Sequence, residues 1–188
     1  MIAVLRIFLI ISIFISGFTS LYAQLCSGNL GQNIFVNGNF GTGSDNILQT
    51  DPQIAPGYQY VTQDPVQDGQ YTISNDLAPW TGINGWGWVR TGDASANPEG
   101  YMMVVNASYE PGLFYEEEVS NLCENSIFEF SARIINLNES GSNQIKPNVS
   151  FLINGQVVYN TGDIPENETW LKYGFTFNTV PGQSSITL

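Results

Sequence analysis

Trp80, Trp86 and Trp88 crowd a glycine-rich stretch, with Asp93, Asn97 and Glu99 just beyond them and Tyr101 opening the run that follows. Sugar rings present apolar C–H faces, so aromatic platforms beside polar groups are what a glycan site requires. Trp80, Trp86, Trp88, Asp93 and Tyr101 are therefore the candidate ligand-binding group. Trp86 and Trp88 stand at i and i+2 and would share one face of a strand, which can be the ligand face or the buried one. Packing in the core or in loops is the competing account of the tryptophans. Asp93, Asn97 and Glu99 carry the oxygen ligands that Ca²⁺ prefers, but their spacing fits no EF-hand loop and a solvated turn is the simpler account. Calcium is the one cofactor with candidate ligands, and the sequence requires none.

The chain contains no histidine. This removes Ser-His-Asp and Cys-His nucleophile systems, the usual zinc-hydrolase sites and the commonest general base near neutral pH. Carboxylate chemistry stays open, since a glycosidase needs two carboxyl groups roughly 5 to 9.5 Å apart, one of them with a raised pKa. Glu116 and Glu118 would lie about 7 Å apart on one strand face, although acidic residues on an exposed sheet surface explain them more simply. No nucleophile elbow, Walker loop, dinucleotide fingerprint or HExxH occurs, and Gly41-Thr42-Gly43 is only a glycine-rich loop. The expectation is a protein that is not an enzyme.

Residues 1–23 read as a cleaved signal peptide: Arg6, the apolar stretch Ile7 to Phe18, then Leu21-Tyr22-Ala23 before Gln24. The apolar run is short for a membrane span, which takes roughly 20 residues, so no span is expected after cleavage. Residues 24–188 are of a size for one domain. Without Arg6, only Arg90, Arg133, Lys146 and Lys172 oppose 17 acidic residues. Nucleic acid and anionic membranes are thus poor partners. Cys26 and Cys123 remain, and in an exported protein a disulfide is their natural state; no histidine is present to join either thiol in a metal or catalytic site.

The elements that must position these residues are short strands. Gly100 to Leu137 reads as three consecutive antiparallel strands, beginning with a run at Tyr101 to Asn106 that is apolar on both faces and hence covered on both. Glu110-Pro111-Gly112 turns the chain into Leu113 to Ser120. Ile127 to Leu137 then places Phe128, Phe130, Ala132 and Ile134 on a core face. Further strands are expected near Asn33 to Val36, Tyr58 to Thr62, Gln70 to Ser74, Trp86 to Arg90, Asn148 to Ile153, Gln156 to Asn160, Trp170 to Asn178 and Ser184 to Leu188, with Asn154-Gly155 as a hairpin turn. Around ten strands and no convincing amphipathic helix predict an all-β sandwich or barrel.

LGQNIFVNGNFGTG near the start, GYMMVVNASYEPGLFYEEEVSNLCENSIFEFSARIINLN, PNVSFLING and NTGDIPENETWLKYGFTFNTVPGQSSITL resemble the N-terminal jelly-roll module of gliding-motility-associated and type IX-secreted surface proteins of Bacteroidetes, over nearly all of Leu30 to Leu188. The resemblance implies an antiparallel jelly-roll β-sandwich similar to galactose-binding-like carbohydrate-binding modules, without catalysis and set before adhesin-like repeats and a sorting domain. It further implies that a closing strand lies beyond Leu188 and that the module is C-terminally truncated. The chain departs from the family pattern in reading Thr91-Gly92-Asp93-Ala94-Ser95 where an Asp-His-Thr-like run is common. A family calcium site near the first strand would need a carboxylate where this chain has Asn39 and Gly41. The expected function is an extracellular recognition or adhesion module of a larger cell-surface protein that binds glycans or cell-surface polymers. The alternatives are an accessory module of a secreted polysaccharide-degrading enzyme and a structural spacer.

Overall fold

The computed structural model describes residues 34–35 and 38–188. The described residues are all-β, with no helix among them. The strands are β1 (Gln59–Tyr60), β2 (Gln70–Ser74), β3 (Met102–Asn106), β4 (Glu118–Ser120), β5 (Ile127–Ile134), β6 (Asn148–Ile153), β7 (Gln156–Asp163), β8 (Leu171–Asn178) and β9 (Ser185–Thr187). They form a three-stranded sheet in the order β1-β2-β3 and the pairs β4-β9, β5-β8 and β6-β7. All pairings are antiparallel except the short β1–β2 contact. Several sheets around apolar clusters are consistent with a β-sandwich.

The β2–β3 ribbon is the centre, and alternation explains why. Tyr71 faces Val105 and Ile73 faces Met103, while Thr72 lies opposite Val104 and Ser74 opposite Met102. One face delivers Met102 and Val104 to a cluster with Val66, Leu77, Trp80 and Ile83. The other delivers Tyr71 and Ile73 to a cluster with Ile54, Ala55 and Tyr101, against which Met103 and Val105 pack. The ribbon is covered on both faces, as its apolar run predicts. A third cluster, Val119, Leu122, Ile186 and Leu188, joins the β4–β9 pair to Phe128, Phe130 and Phe177 of the β5–β8 pair.

The aromatic face of β5 points inward as expected. Phe128 stacks on Phe177 with ring centroids 5.7 Å apart, and Phe130 meets Phe175 edge-on at the same separation. Phe151 and Tyr159 of the β6–β7 hairpin extend this run of rings. Asn154-Gly155 makes the hairpin turn with φ of 50° and 78°, the left-handed values such a turn demands. Gly174 is required where it stands, because a Cβ there would collide with the Phe130 carbonyl and with Ser131 across the pair.

Three expectations are corrected. The segment from Gly100 to Leu137 is not a run of mutually paired strands: β3 pairs with β2, β4 with β9 and β5 with β8. Leu113 to Glu117 is irregular, because it divides its backbone between neighbours; the Gly57 amide donates to the Leu113 carbonyl, the Glu116 amide to Ile54, and Glu117 exchanges two bonds with Leu188. Trp86 to Arg90 is a turn region, since Gly85 and Gly87 adopt φ of 80° and 70° on either side of Trp86. The strand expected at Asn33 to Val36 and the residue Cys26 lie partly or wholly outside the described residues.

Four tyrosines of the second cluster hold their protons more tightly than a free phenol. Burial is the main cause in each; Asp51 adds to it at Tyr71, Glu117 at Tyr115 and Asp45 at Tyr101, while at Tyr60 burial outweighs opposing hydrogen bonds. Raised folded-state pKa values mean that stability is complete below the unfolded value of about 10 and is lost as pH climbs past it, because only the unfolded chain releases these protons. Denaturant midpoints should fall progressively as pH rises above about 10, and Tyr71→Phe should reduce that fall. Midpoints that ignore alkali would contradict this account.

Candidate functional site

The loop between Leu77 and Gly92 is built from short-range bonds. The Asp76 carboxylate accepts from the Ala78 amide, and successive turns close from Trp80 to Leu77, Asn84 to Thr81 and Trp86 to Ile83. Asp64 Oδ2 accepts the amides of Thr81 and Gly82, both at 2.7 Å. Arg90 then locks the loop from the other side: Nη1 donates to the carbonyls of Leu77 (3.1 Å), Ala78 (3.0 Å) and Trp80 (2.5 Å), while Nη2 donates to Asn84 Oδ1 at 2.7 Å. A guanidinium suits this work because its donors are fixed in one plane.

Trp86 and Trp88 emerge from this loop half-buried, edge to face, with centroids 5.3 Å apart and planes at 87°. The segment is pinned by the Val89 amide to the Leu137 carbonyl and the Glu139 amide to the Gly87 carbonyl, each at 2.7 Å, with a bridge between Trp88 and Asn138. The Glu139 carboxylate lies against Gly87. Trp170, at the entrance to β8, packs half-buried on the same first cluster as Trp86 and Trp88. Its indole N–H is buried and finds no acceptor among the described residues. Sequence proximity links Trp80, Trp86 and Trp88, but nothing in local spacing could place Trp170 on the same cluster.

The remaining candidates separate. Trp80 is 2% exposed and its indole donates to Asn46 Oδ1 at 3.1 Å, so it is a core residue with no face for a ligand. Tyr101 is buried in the second cluster, on the opposite side of the β2–β3 ribbon, and its hydroxyl donates to the Asp45 carbonyl. Asp93 accepts from the amide and hydroxyl of Ser95, Ser95 Oγ accepts from the Asn97 amide, and Asn97 Oδ1 accepts from the Glu99 amide. These side chains fold their own loop. No group of three or more acidic, histidine or cysteine side chains suited to a metal is found among the described residues. Glu116 and Glu118 are both exposed. No cysteine among the described residues is a free thiol.

No protein family matches the chain, and neither the curated proteins nor the solved structures include one similar to it.

Arg90→Met would remove the guanidinium donor from the Ala78 and Trp80 carbonyls and Asn84, and leave the Leu77 carbonyl with the Trp80 amide alone. It should cost about 1.5–3 kcal/mol of unfolding free energy and shift tryptophan emission to the red, whereas Arg90→Lys should recover only part of both because an ammonium cannot reproduce the fork. An Arg90→Met protein with unchanged stability and emission would show that the guanidinium is dispensable.

Proposed function

We propose that the protein is a non-catalytic extracellular recognition module that binds carbohydrate at the rim formed by Trp86 and Trp88. The observation that carries this reading is the half-buried, perpendicular Trp86–Trp88 pair, which follows turns clamped by Arg90 and has the Glu139 carboxylate near the intervening Gly87. A glycan site needs apolar ring faces held rigidly beside hydrogen-bonding groups, and rigid aromatics lose little entropy on binding. The jelly-roll connectivity, the galactose-binding-like fold and the setting in a larger secreted surface protein belong to this proposal through the sequence resemblance. A spacer domain is the second reading, favoured by the burial of Trp80 and by the investment of Asp93 and Asn97 in their own loop.

Tryptophan emission titrated with neutral and acidic cell-surface polysaccharides tests the proposal. Saturable quenching should appear with at least one of them, and Trp86→Ala or Trp88→Ala should weaken it about tenfold or more, measured under conditions where each variant is folded, since both rings also pack on the core. Emission that ignores every polysaccharide would favour the spacer.

Export by residues 1–23 and a bond between Cys26 and Cys123 complete the proposal; oxidation in an exported chain would tie the N-terminal arm to the loop before β5. Peptide mapping of the secreted protein without reduction should yield a linked peptide containing both cysteines. Two separately alkylated thiols would refute the bond.

A further inference from the structure

Arg90 does more than brace carbonyls: its Nη2 donates to the side-chain oxygen of Asn84, and the residue after Asn84 is Gly85. We propose that Asn84 is a self-modification site, at which the Gly85 nitrogen closes on the side-chain amide and the Arg90 guanidinium promotes the loss of ammonia.

Three observations support it. First, the turn is open where the ring must form. Asn84 and Gly85 are the exposed central residues of the turn that the Trp86 amide closes on the Ile83 carbonyl at 3.0 Å. Gly85 has φ of 80°, and the space where a side chain would stand holds no atom within 4 Å. Second, a fixed charge polarises the amide that is attacked. As the nitrogen approaches Cγ, negative charge gathers on Asn84 Oδ1, the atom to which Arg90 Nη2 donates at 2.7 Å. The bonds from Nη1 to the Leu77, Ala78 and Trp80 carbonyls hold the guanidinium there beforehand, which is how an oxyanion-stabilising donor acts. Third, the chain carries its own comparison. Asn154-Gly155 has the same sequence but a neutral donor: Asn154 Oδ1 accepts from the Thr187 amide at 2.9 Å, while the Asn154 amide donates to the Thr187 carbonyl at 2.8 Å. Charge-assisted hydrogen bonds are the stronger kind, so the two pairs should react at different rates.

In the reaction, hydroxide takes the Gly85 amide proton and the nitrogen bonds to Asn84 Cγ. The Cγ–Nδ2 bond breaks, and ammonia leaves with a proton from water. Water then opens the cyclic imide at either carbonyl, leaving aspartate or isoaspartate in place of Asn84. No oxidant or reductant takes part. Aspartate would set a carboxylate against Arg90, whereas isoaspartate would add a methylene to the main chain of the turn.

The full chain is held folded in mildly alkaline buffer and, in parallel, unfolded in urea, and peptide mapping that separates the asparaginyl, aspartyl and isoaspartyl forms follows both pairs. In the folded chain, conversion at Asn84 should run about tenfold or more faster than at Asn154. It should also outpace Asn84 in urea, where the two pairs should converge. Arg90→Met should slow Asn84 about tenfold or more even though it loosens the loop, whereas a clamp that only restrains the loop would give acceleration. Conversion at Asn84 that is no faster than at Asn154 or in the unfolded chain, or that does not slow in Arg90→Met, would overturn the proposal. The comparison of folded with unfolded chain decides it even where Arg90→Met fails to fold.

Discussion

The structure depends on one two-stranded ribbon that must be dry on both sides. From Tyr71 to Ser74 every residue is buried, and among the described residues no neighbouring strand continues the ladder beyond β3. A ribbon in that position cannot present a polar face to water, so the rest of the chain has to cover it twice. Local loops do the covering: residues from Val66 to Ile83 close the Met102–Val104 face, and the Asn39–Ile54 arch with Tyr101 closes the Tyr71–Ile73 face. The division of the molecule into a tryptophan side and a tyrosine side follows from this constraint.

Covering a sheet with loops instead of a second layer of strands leaves many backbone groups to be satisfied without ladders, and burying such groups unpaired is costly. The side chains that solve this are few. Asn46 donates to the Asn75 side chain and the Asp76 carbonyl and accepts the Trp80 indole, while its own carbonyl takes the Ser74 hydroxyl and the Asn75 amide. It joins the edge of β2 to the centre of the first core. Arg90 does the equivalent for the outer turn of the tryptophan loop. Asn136, buried at 2%, ties the end of β5 to Ile164 and to Asn138.

This pattern explains what was legible in the sequence. Gln70 to Ser74 and Asn148 to Ile153 are found as predicted, residue for residue, because alternation and bounding turn residues set them locally. The inward face of β5 and the Asn154-Gly155 turn were legible for the same reason. Partner choice was not, since β4 meets β9 and β5 meets β8 across long stretches of chain that carry no local mark of it. Trp86 to Arg90 looked like a strand because Trp and Val favour strands; Gly85 and Gly87 in left-handed conformation decided otherwise. Asn46 and Trp170 escaped notice because their roles arise from tertiary partners alone.

The same physics separates the tryptophan that is wholly packed from those that keep part of the ring exposed. Trp80 has its indole bonded and both ring faces in the core, so no ligand could reach it without breaking the cluster that supports the ribbon. Trp86 and Trp88 lie one shell further out: the core holds one side of each, the Arg90-clamped turn fixes their backbone, and the rest of each ring is left to solvent. A ring in that position has already lost its rotational freedom to the fold, so an apolar partner laid against it gains contact area at little further entropic cost. Trp170 differs again, since among the described residues its buried indole N–H has no acceptor of the kind that Asn46 gives Trp80.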